Sequence, residues 1–172
     1  MQEIVDNTRI LDYSYDSAGN PFSVAYRTSL SATPIYYYYA VNSRGDVVGI
    51  YTASGSLLVV YEYDAWGNIL SVKNANGVNI ANPNSIANIQ SLRYRGYCYD
   101  TDTGLYYLQS RYYDPVTHRF INADGYVSTG TDVLDNNMFA YCENNPILFS
   151  DPKGDRAYPY NFIGPLAPGD IR

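Results

Sequence analysis

Tyr63-Asp64-Ala65-Trp66-Gly67-Asn68 runs directly into Ile69-Leu70-Ser71-Val72. An aromatic residue closes a strand. The carboxylate after it can accept backbone N–H bonds across a turn, and glycine supplies a positive φ that other residues resist. An apolar run then returns as the partner strand. The stretch therefore reads as a β-hairpin, and the chain repeats it. Tyr15-Asp16-Ser17-Ala18-Gly19-Asn20 precedes Phe22-Ser23-Val24-Ala25-Tyr26, and Tyr99-Asp100-Thr101-Asp102-Thr103-Gly104 precedes Leu105-Tyr106-Tyr107-Leu108. A weaker copy, Val41-Asn42-Ser43-Arg44-Gly45-Asp46, precedes Val47-Val48-Gly49-Ile50-Tyr51. Successive turn glycines are 45 − 19 = 26, 67 − 45 = 22 and 104 − 67 = 37 positions apart, so the repeat is irregular. The longest interval contains the polar stretch 74–91, which reads as an inserted loop.

A lone hairpin is marginal in water, so these units must lie side by side to bury their aromatic faces. Helical periodicity is almost absent, and 21 of the 172 residues are Tyr, which suits a pleated, half-buried surface. The fold class is all-β: stacked antiparallel hairpins forming a curved sheet. Alternation along Tyr36-Tyr37-Tyr38-Tyr39 places two rings on each face of a strand, the expected role being to line the core.

Composition excludes several classes. Net charge is 11 − 17 = −6, a poor footprint for a phosphate backbone, so no nucleic-acid partner is expected. No apolar run approaches the ~18 residues of a membrane-spanning helix, and the start, Met1-Gln2-Glu3-Ile4-Val5-Asp6-Asn7, has neither the basic nor the apolar region of a signal peptide. Cys98 and Cys142 stand 142 − 98 = 44 positions apart with no CxxC and no His cluster. That argues against a zinc site and leaves a disulfide or, as the simpler expectation, two buried free thiols. No metal or cofactor is expected. The single histidine, His118, falls in the turn after Asp114-Pro115-Val116-Thr117 and reads as a surface residue.

From residue 93 the chain carries a long signature: Arg93-Tyr94-Arg95-Gly96-Tyr97-Cys98-Tyr99-Asp100, then Gly104-Leu105-Tyr106-Tyr107-Leu108-Gln109-Ser110-Arg111-Tyr112-Tyr113-Asp114-Pro115, and Thr117-His118-Arg119-Phe120-Ile121-Asn122-Ala123-Asp124. Later come Asn136-Asn137-Met138-Phe139-Ala140-Tyr141-Cys142, Asn144-Asn145-Pro146 and Asp151-Pro152-Lys153-Gly154. This closely resembles the core-associated region of the Rhs, or YD-repeat, proteins, and the upstream units resemble the YD repeats themselves. Residues 93–99 and 105–113 should pair across 100–104, and 114–117 should turn into a strand at 119–122. Residues 136–142 should form a short helix. The organisation expected is hairpins over 1–92, the core-associated segment over 93–154 and a short Pro-rich tail over 155–172.

The resemblance implies a hollow β-shell in which repeats spiral around a C-terminal toxic cargo while the core-associated segment plugs one end. Relatives include bacterial polymorphic toxins, and the teneurin cell-surface proteins share the architecture. It also implies a secreted or cell-surface setting and, as partners, further YD repeats and a C-terminal cargo. Here the chain is too short to close a shell, and it reads as a truncated segment whose exposed sheet edges invite association.

In several relatives the shell cuts its own chain after an Asp-Pro-x-Gly motif, using paired aspartates in the manner of aspartic proteases, where two close carboxylates share a proton. The matching positions are Asp124 and Asp135, with Asp132 competing for the second role, and the cut would fall between Gly154 and Asp155. The alternative is that Asp124 and Asp135 make only turn and cap hydrogen bonds. Where the family has Leu after the motif, this chain has Asp155, which adds charge and removes an apolar anchor. A third reading, a carbohydrate-binding aromatic surface, is weakened by the presence of only one tryptophan, Trp66.

Overall fold

The computed structural model describes residues 1–6, 8–123 and 137–159. Seven strands form one antiparallel sheet in sequence order: β1 (Gln2–Val5), β2 (Arg9–Tyr15), β3 (Pro21–Arg27), β4 (Ile35–Val41), β5 (Val47–Thr52), β6 (Leu57–Tyr63) and β7 (Ile69–Lys73). A meander of this kind needs only short connections, and the sequence supplies them. At 16–20 the Asp16 carboxylate accepts the N–H groups of Ala18 and Asn20. At 42–46 the Asn42 side chain accepts those of Arg44 and Asp46. At 64–68 the Asp64 carboxylate accepts those of Trp66 and Asn68. Gly19, Gly45 and Gly67 take φ of 84°, 84° and 91°.

Because the strands alternate in direction, these three turns share one end of the sheet. Two further turns of the same kind stand at the other end, built on Thr52 with Gly55 and on Asn74 with Gly77. The glycine intervals of 26 and 22 residues thus measure one full return of the chain, two strands and two turns.

One face of the sheet is core. Leu11, Tyr13, Val24, Val47, Ile50, Val59 and Tyr61 are buried there, with Tyr37 and Tyr39 packed beside them. Residues 86–92 cross this face, beginning with the one-turn helix α1 (Ile86–Ile89) and burying Ile86, Ala87 and Leu92. The stretch that reads as a polar insert therefore delivers a strap across the core. Tyrosine suits this interface because its ring fills volume while its hydroxyl can still be paired. Tyr61 donates to Ala87 O (2.7 Å) and accepts from Gln90, Tyr39 donates to Gln90, and Tyr13 pairs with Ser91. The opposite face exposes Phe22, Tyr36, Tyr38 and Tyr51, flanked by the ion pairs Arg27–Asp12 and Lys73–Glu62. The Tyr36–39 run splits as alternation requires, two rings to each face.

A second sheet runs β8 (Cys98–Asp100), β9 (Leu105–Tyr107), β10 (Tyr112–Asp114) and β11 (Arg119–Phe120), ordered β11-β10-β9-β8. Pairing across 100–104 begins only at Cys98, since 94–96 form a 3-10 turn with Arg95 at φ 55°. The turns 100–104 and 114–118 are built alike. Asp100 holds Asp102 N–H and the Thr103 hydroxyl, and Asp114 holds Val116 N–H and the Thr117 hydroxyl. Where the first has Gly104 at φ 75°, the second has His118 at φ 63°.

The short helix expected at 136–142 is not where the described part of that stretch goes. Phe120 N–H donates to Phe139 O and Arg119 bridges Ala140, so these residues are drawn out against β11. A 3-10 turn follows at Cys142–Asn144. Residue 136 lies outside the described residues. The last pair is β12 (Phe149–Ser150) with β13 (Tyr158–Pro159). Both cysteines are free, Cys142 buried and Cys98 partly so.

Candidate functional site

The three turns at one end of the large sheet are where the second sheet docks. Tyr94 donates its hydroxyl to Ala65 O (2.8 Å), Tyr113 to Trp66 O (2.7 Å) and Tyr106 to Gly67 O (2.7 Å). Three consecutive carbonyls of one turn thus each receive a buried phenol from the second core, which comprises Tyr94, Tyr97, Tyr106, Leu108, Tyr113, Phe120, Tyr141 and Cys142. Asn68 reaches Pro115 O, and His118 stacks on Trp66 at 4.2 Å. The next turn contributes Asp46, whose carboxylate accepts Arg95 N–H and lies 3.9 Å from the Arg95 guanidinium. Gly96 packs against Pro21 at the first turn. The YD turns are therefore both hairpin closures and a docking rim for residues 93–118.

The second core carries the site closest to chemistry. Its floor is Arg111, buried at the start of β10 and lying 3.7 Å from the centre of the Phe120 ring. Its Nε donates to Gly154 O, its Nη1 to Met138 O (3.1 Å) and its Nη2 to Asp151 Oδ2 (3.2 Å). The Ser110 hydroxyl stands 2.5 Å from Gly154 O and 2.8 Å from Lys153 O, with one proton to share between them. Asp151 is buried, and its Oδ1 accepts the backbone N–H of Asp155 (3.0 Å) and of Arg156 (3.2 Å). Burial pushes its carboxyl up to about 6, against the opposing pull of Arg111. Gly154 has φ 73°, and a Cβ there would lie 2.9 Å from Leu108 O, so the motif's glycine is required twice over. The Gly154–Asp155 peptide thus has cationic and hydroxyl donors on its carbonyl oxygen and a carboxyl on its nitrogen.

A family profile described as Teneurin YD-shell matches residues 5–147. The chain belongs to this YD-shell family. It is 34% identical to the tRNA nuclease WapA of Bacillus subtilis (strain 168), over 86% of this chain and 7% of that protein. It is 36% identical to the tRNA3(Ser)-specific nuclease WapA of Bacillus spizizenii, over 87% of this chain and 6% of that one. It also resembles YibJ of Escherichia coli (strain K12), at 32% identity over 69% of this chain and 44% of YibJ. Among solved structures, a crystal structure of TcdB2-TccC3-Cdc42 superposes with a TM-score of 0.67 at 22% identity, over 86% of this chain and 6% of that one. The chain thus spans only a small part of the WapA relatives, and its fold is that of a YD-shell segment of antiparallel, unclosed sheets.

The turn positions Tyr15, Asp16, Gly19, Tyr63, Asp64, Gly67, Tyr99, Asp100, Gly104, Asp114 and Pro115 all fall at hairpin ends. Asp124, Asp132 and Asp135 lie outside the described residues. Gly154 and Asp155 are described, and beside them stand three residues to which the sequence reading gave no role at the cut: Ser110, Arg111 and Asp151. Arg111 could have been suspected, being a cation inside an aromatic strand. Asp151 is the first residue of the motif itself, and only its burial sets it apart from a turn-forming aspartate.

Proposed function

We propose that this chain supplies the end wall and plug of a YD shell enclosing a C-terminal cargo in an exported or surface-displayed protein. The observation that carries this is the seating of residues 93–118 on the turn rim, where three successive carbonyls are capped by Tyr94, Tyr113 and Tyr106. Such a seat seals one end of a spiralling sheet, and the relatives' names, nucleases among them, support an enclosed cargo. The test joins this chain to an upstream run of YD hairpins and to a C-terminal reporter peptide bearing a protease site. The reporter should resist cleavage until the shell unfolds. Cleavage as fast as that of the free peptide would overturn enclosure.

A second reading, single-turnover cleavage between Gly154 and Asp155, is supported by the donors on Gly154 O and the carboxyl on Asp155 N. Water adds to the Gly154 carbonyl carbon, losing its proton to a carboxylate of the Asp124–Asp135 pair. Arg111 and Ser110 hold the oxyanion. Asp151, with its raised pKa, gives its proton to the Asp155 nitrogen as the C–N bond breaks, leaving a new carboxylate and a free amine. Mass spectrometry of an Asp155→Leu chain with an extended tail should show a cut after Gly154. That cut should be lost in Asp151→Asn and in Asp124→Asn. No cut, or a cut indifferent to these changes, removes the reading.

A further inference from the structure

Tyr107 and Tyr112 are partners across the β9–β10 hairpin. Leu108 N–H donates to Arg111 O, while Tyr112 turns its own peptide groups the other way, its N–H to the Asn122 side chain and its C=O to Ile121 N–H. Tyr107 and Tyr112 therefore form a non-hydrogen-bonded pair, the position in an antiparallel ladder where opposite side chains come closest. Their ring centres stand 5.1 Å apart, with the planes tilted by 43°. This spacing is set within the β9–β10 hairpin itself and owes nothing to the strands before it.

Two closer tyrosine pairs stand among the described residues, and each contains a sealed ring. Tyr113 and Tyr141 stack at 3.9 Å with both rings fully buried, and Tyr113 donates its hydroxyl to Trp66 O. Tyr99 and Tyr106 stand 4.9 Å apart, and Tyr106 is fully buried with its hydroxyl on Gly67 O. Tyr107 and Tyr112 are each 43% exposed, and neither hydroxyl has a partner among the described bonds. A phenol gives up an electron readily only where its proton can leave as well, and from this pair both protons can pass to water.

We propose that Tyr107 and Tyr112 are a site of oxidative crosslinking, joined ring to ring as a dityrosine when a peroxidase and hydrogen peroxide supply the oxidising equivalents. Each phenol loses one electron and one proton, and the two phenoxyl radicals form a carbon–carbon bond between the positions ortho to their oxygens. The hydrogens on those carbons then move to the oxygens, restoring both phenols. Hydrogen peroxide takes up the two electrons and two protons and becomes two waters. The new bond spans the loop 108–111, in which Gln109 holds φ 65° and Ser110 and Arg111 reach Gly154 O. It thereby pins the loop that grips the Asp151-Pro152-Lys153-Gly154 motif.

The test exposes the native chain, kept dilute, to a haem peroxidase and hydrogen peroxide. Dityrosine fluorescence should appear in the monomer fraction, with a mass loss of two hydrogens. After denaturation, trypsin cuts behind Arg95, Arg111 and Arg119 and should leave 96–111 joined to 112–119. Tyr107→Phe and Tyr112→Phe should each reduce the monomer's fluorescence at least tenfold. Tyr51→Phe, which alters an exposed ring on the outer face of the large sheet, should leave it unchanged. The same joined peptides should form when upstream YD hairpins are fused to β1. Crosslinks only between chains, or a monomer signal indifferent to Tyr107→Phe and Tyr112→Phe in folded variants, would overturn the proposal. So would a crosslink that is lost in the upstream-extended chain.

Discussion

The hydroxyl of Tyr106 donates to the carbonyl of Gly67 at 2.7 Å, joining residues 39 positions apart in sequence. Gly67 is also where the ring of Tyr94 comes closest: a Cβ there would lie 2.7 Å from Tyr94 Cδ1. One glycine therefore serves the hairpin, by its φ of 91°, and the docking of the second sheet, by its missing side chain. Gly67→Ala should combine backbone strain with overpacking and cost about 2–4 kcal/mol in urea denaturation. Gly77 has φ 77° but open space around it, so Gly77→Ala should cost about 1 kcal/mol from strain alone. Equal losses at the two sites would mean that the contact with Tyr94 does not constrain docking.

The tyrosine hydroxyls make a separate prediction. Tyr106 is fully buried, and removing its hydroxyl leaves Gly67 O without that donor. Tyr106→Phe should cost about 1–2 kcal/mol with no change of secondary structure. Tyr107 is 43% exposed, with no hydroxyl partner among the described bonds, so Tyr107→Phe should fall within about 0.5 kcal/mol of the parent. Chemical denaturation of the two variants separates wall-forming rings from surface ones.

The turn carboxylates should differ by position although their local bonds are the same. Asp16 and Asp64 each accept two backbone N–H groups and an asparagine amide. Asp16 lies on an exposed turn, whereas the carbonyls following Asp64 receive the three phenols. Asp16→Ala should lower the urea midpoint only slightly, and Asp64→Ala should cost about 2 kcal/mol or more. A shift to earlier urea midpoints that was the same for both would argue that the rim is not held by turn geometry.

The sequence made the hairpins legible because their turn chemistry is local: Asp or Asn, then Gly three positions on, is enough to close an antiparallel pair. It missed the turns at 52–56 and 74–78, where Thr52, although it follows Tyr51, is neither Asp nor Asn, and where Asn74 follows Lys73 rather than an aromatic. It described 74–91 as polar yet could not show that 86–92 crosses the core, since Ile86, Ala87 and Leu92 form no recognisable period. The helix expected at 136–142 yielded, in its described part, to non-local pairing of 139–140 with β11. The grip of Arg111 on Gly154 joins residues 43 apart, and no spacing rule predicts which cation meets which turn.

The cysteines should report burial directly. Burial pushes the Cys142 thiol up to about 12, and the residue is 1% exposed. Cys98 is raised by the same cause but stays partly accessible. Ellman's reagent at pH 8 should titrate one thiol in the native protein and two in urea, with Cys142 slower by about a hundredfold or more. Two fast native thiols would mean that the core around Tyr97 and Tyr141 opens readily.

Asp151 gives the pH dependence. Its carboxyl titrates near 6 when folded and near 3.8 when unfolded, because burial disfavours the charge more than Arg111 restores it. Between those values the native state binds the extra proton, so stability falls as pH rises from about 4 to about 6 and stays lowered at neutral pH. The contribution is on the order of 1–3 kcal/mol. Melting temperature should therefore be higher at pH 5 than at pH 7. Asp151→Asn should flatten that difference, because an amide keeps an acceptor for the N–H groups of Asp155 and Arg156 but does not titrate. Its cost appears elsewhere, in an Arg111 guanidinium that has lost its carboxylate and retains Gly154 O and Met138 O. A variant that melts lower than the parent at every pH yet shows the same slope would place the titrating group elsewhere and leave Asp151 ionised throughout.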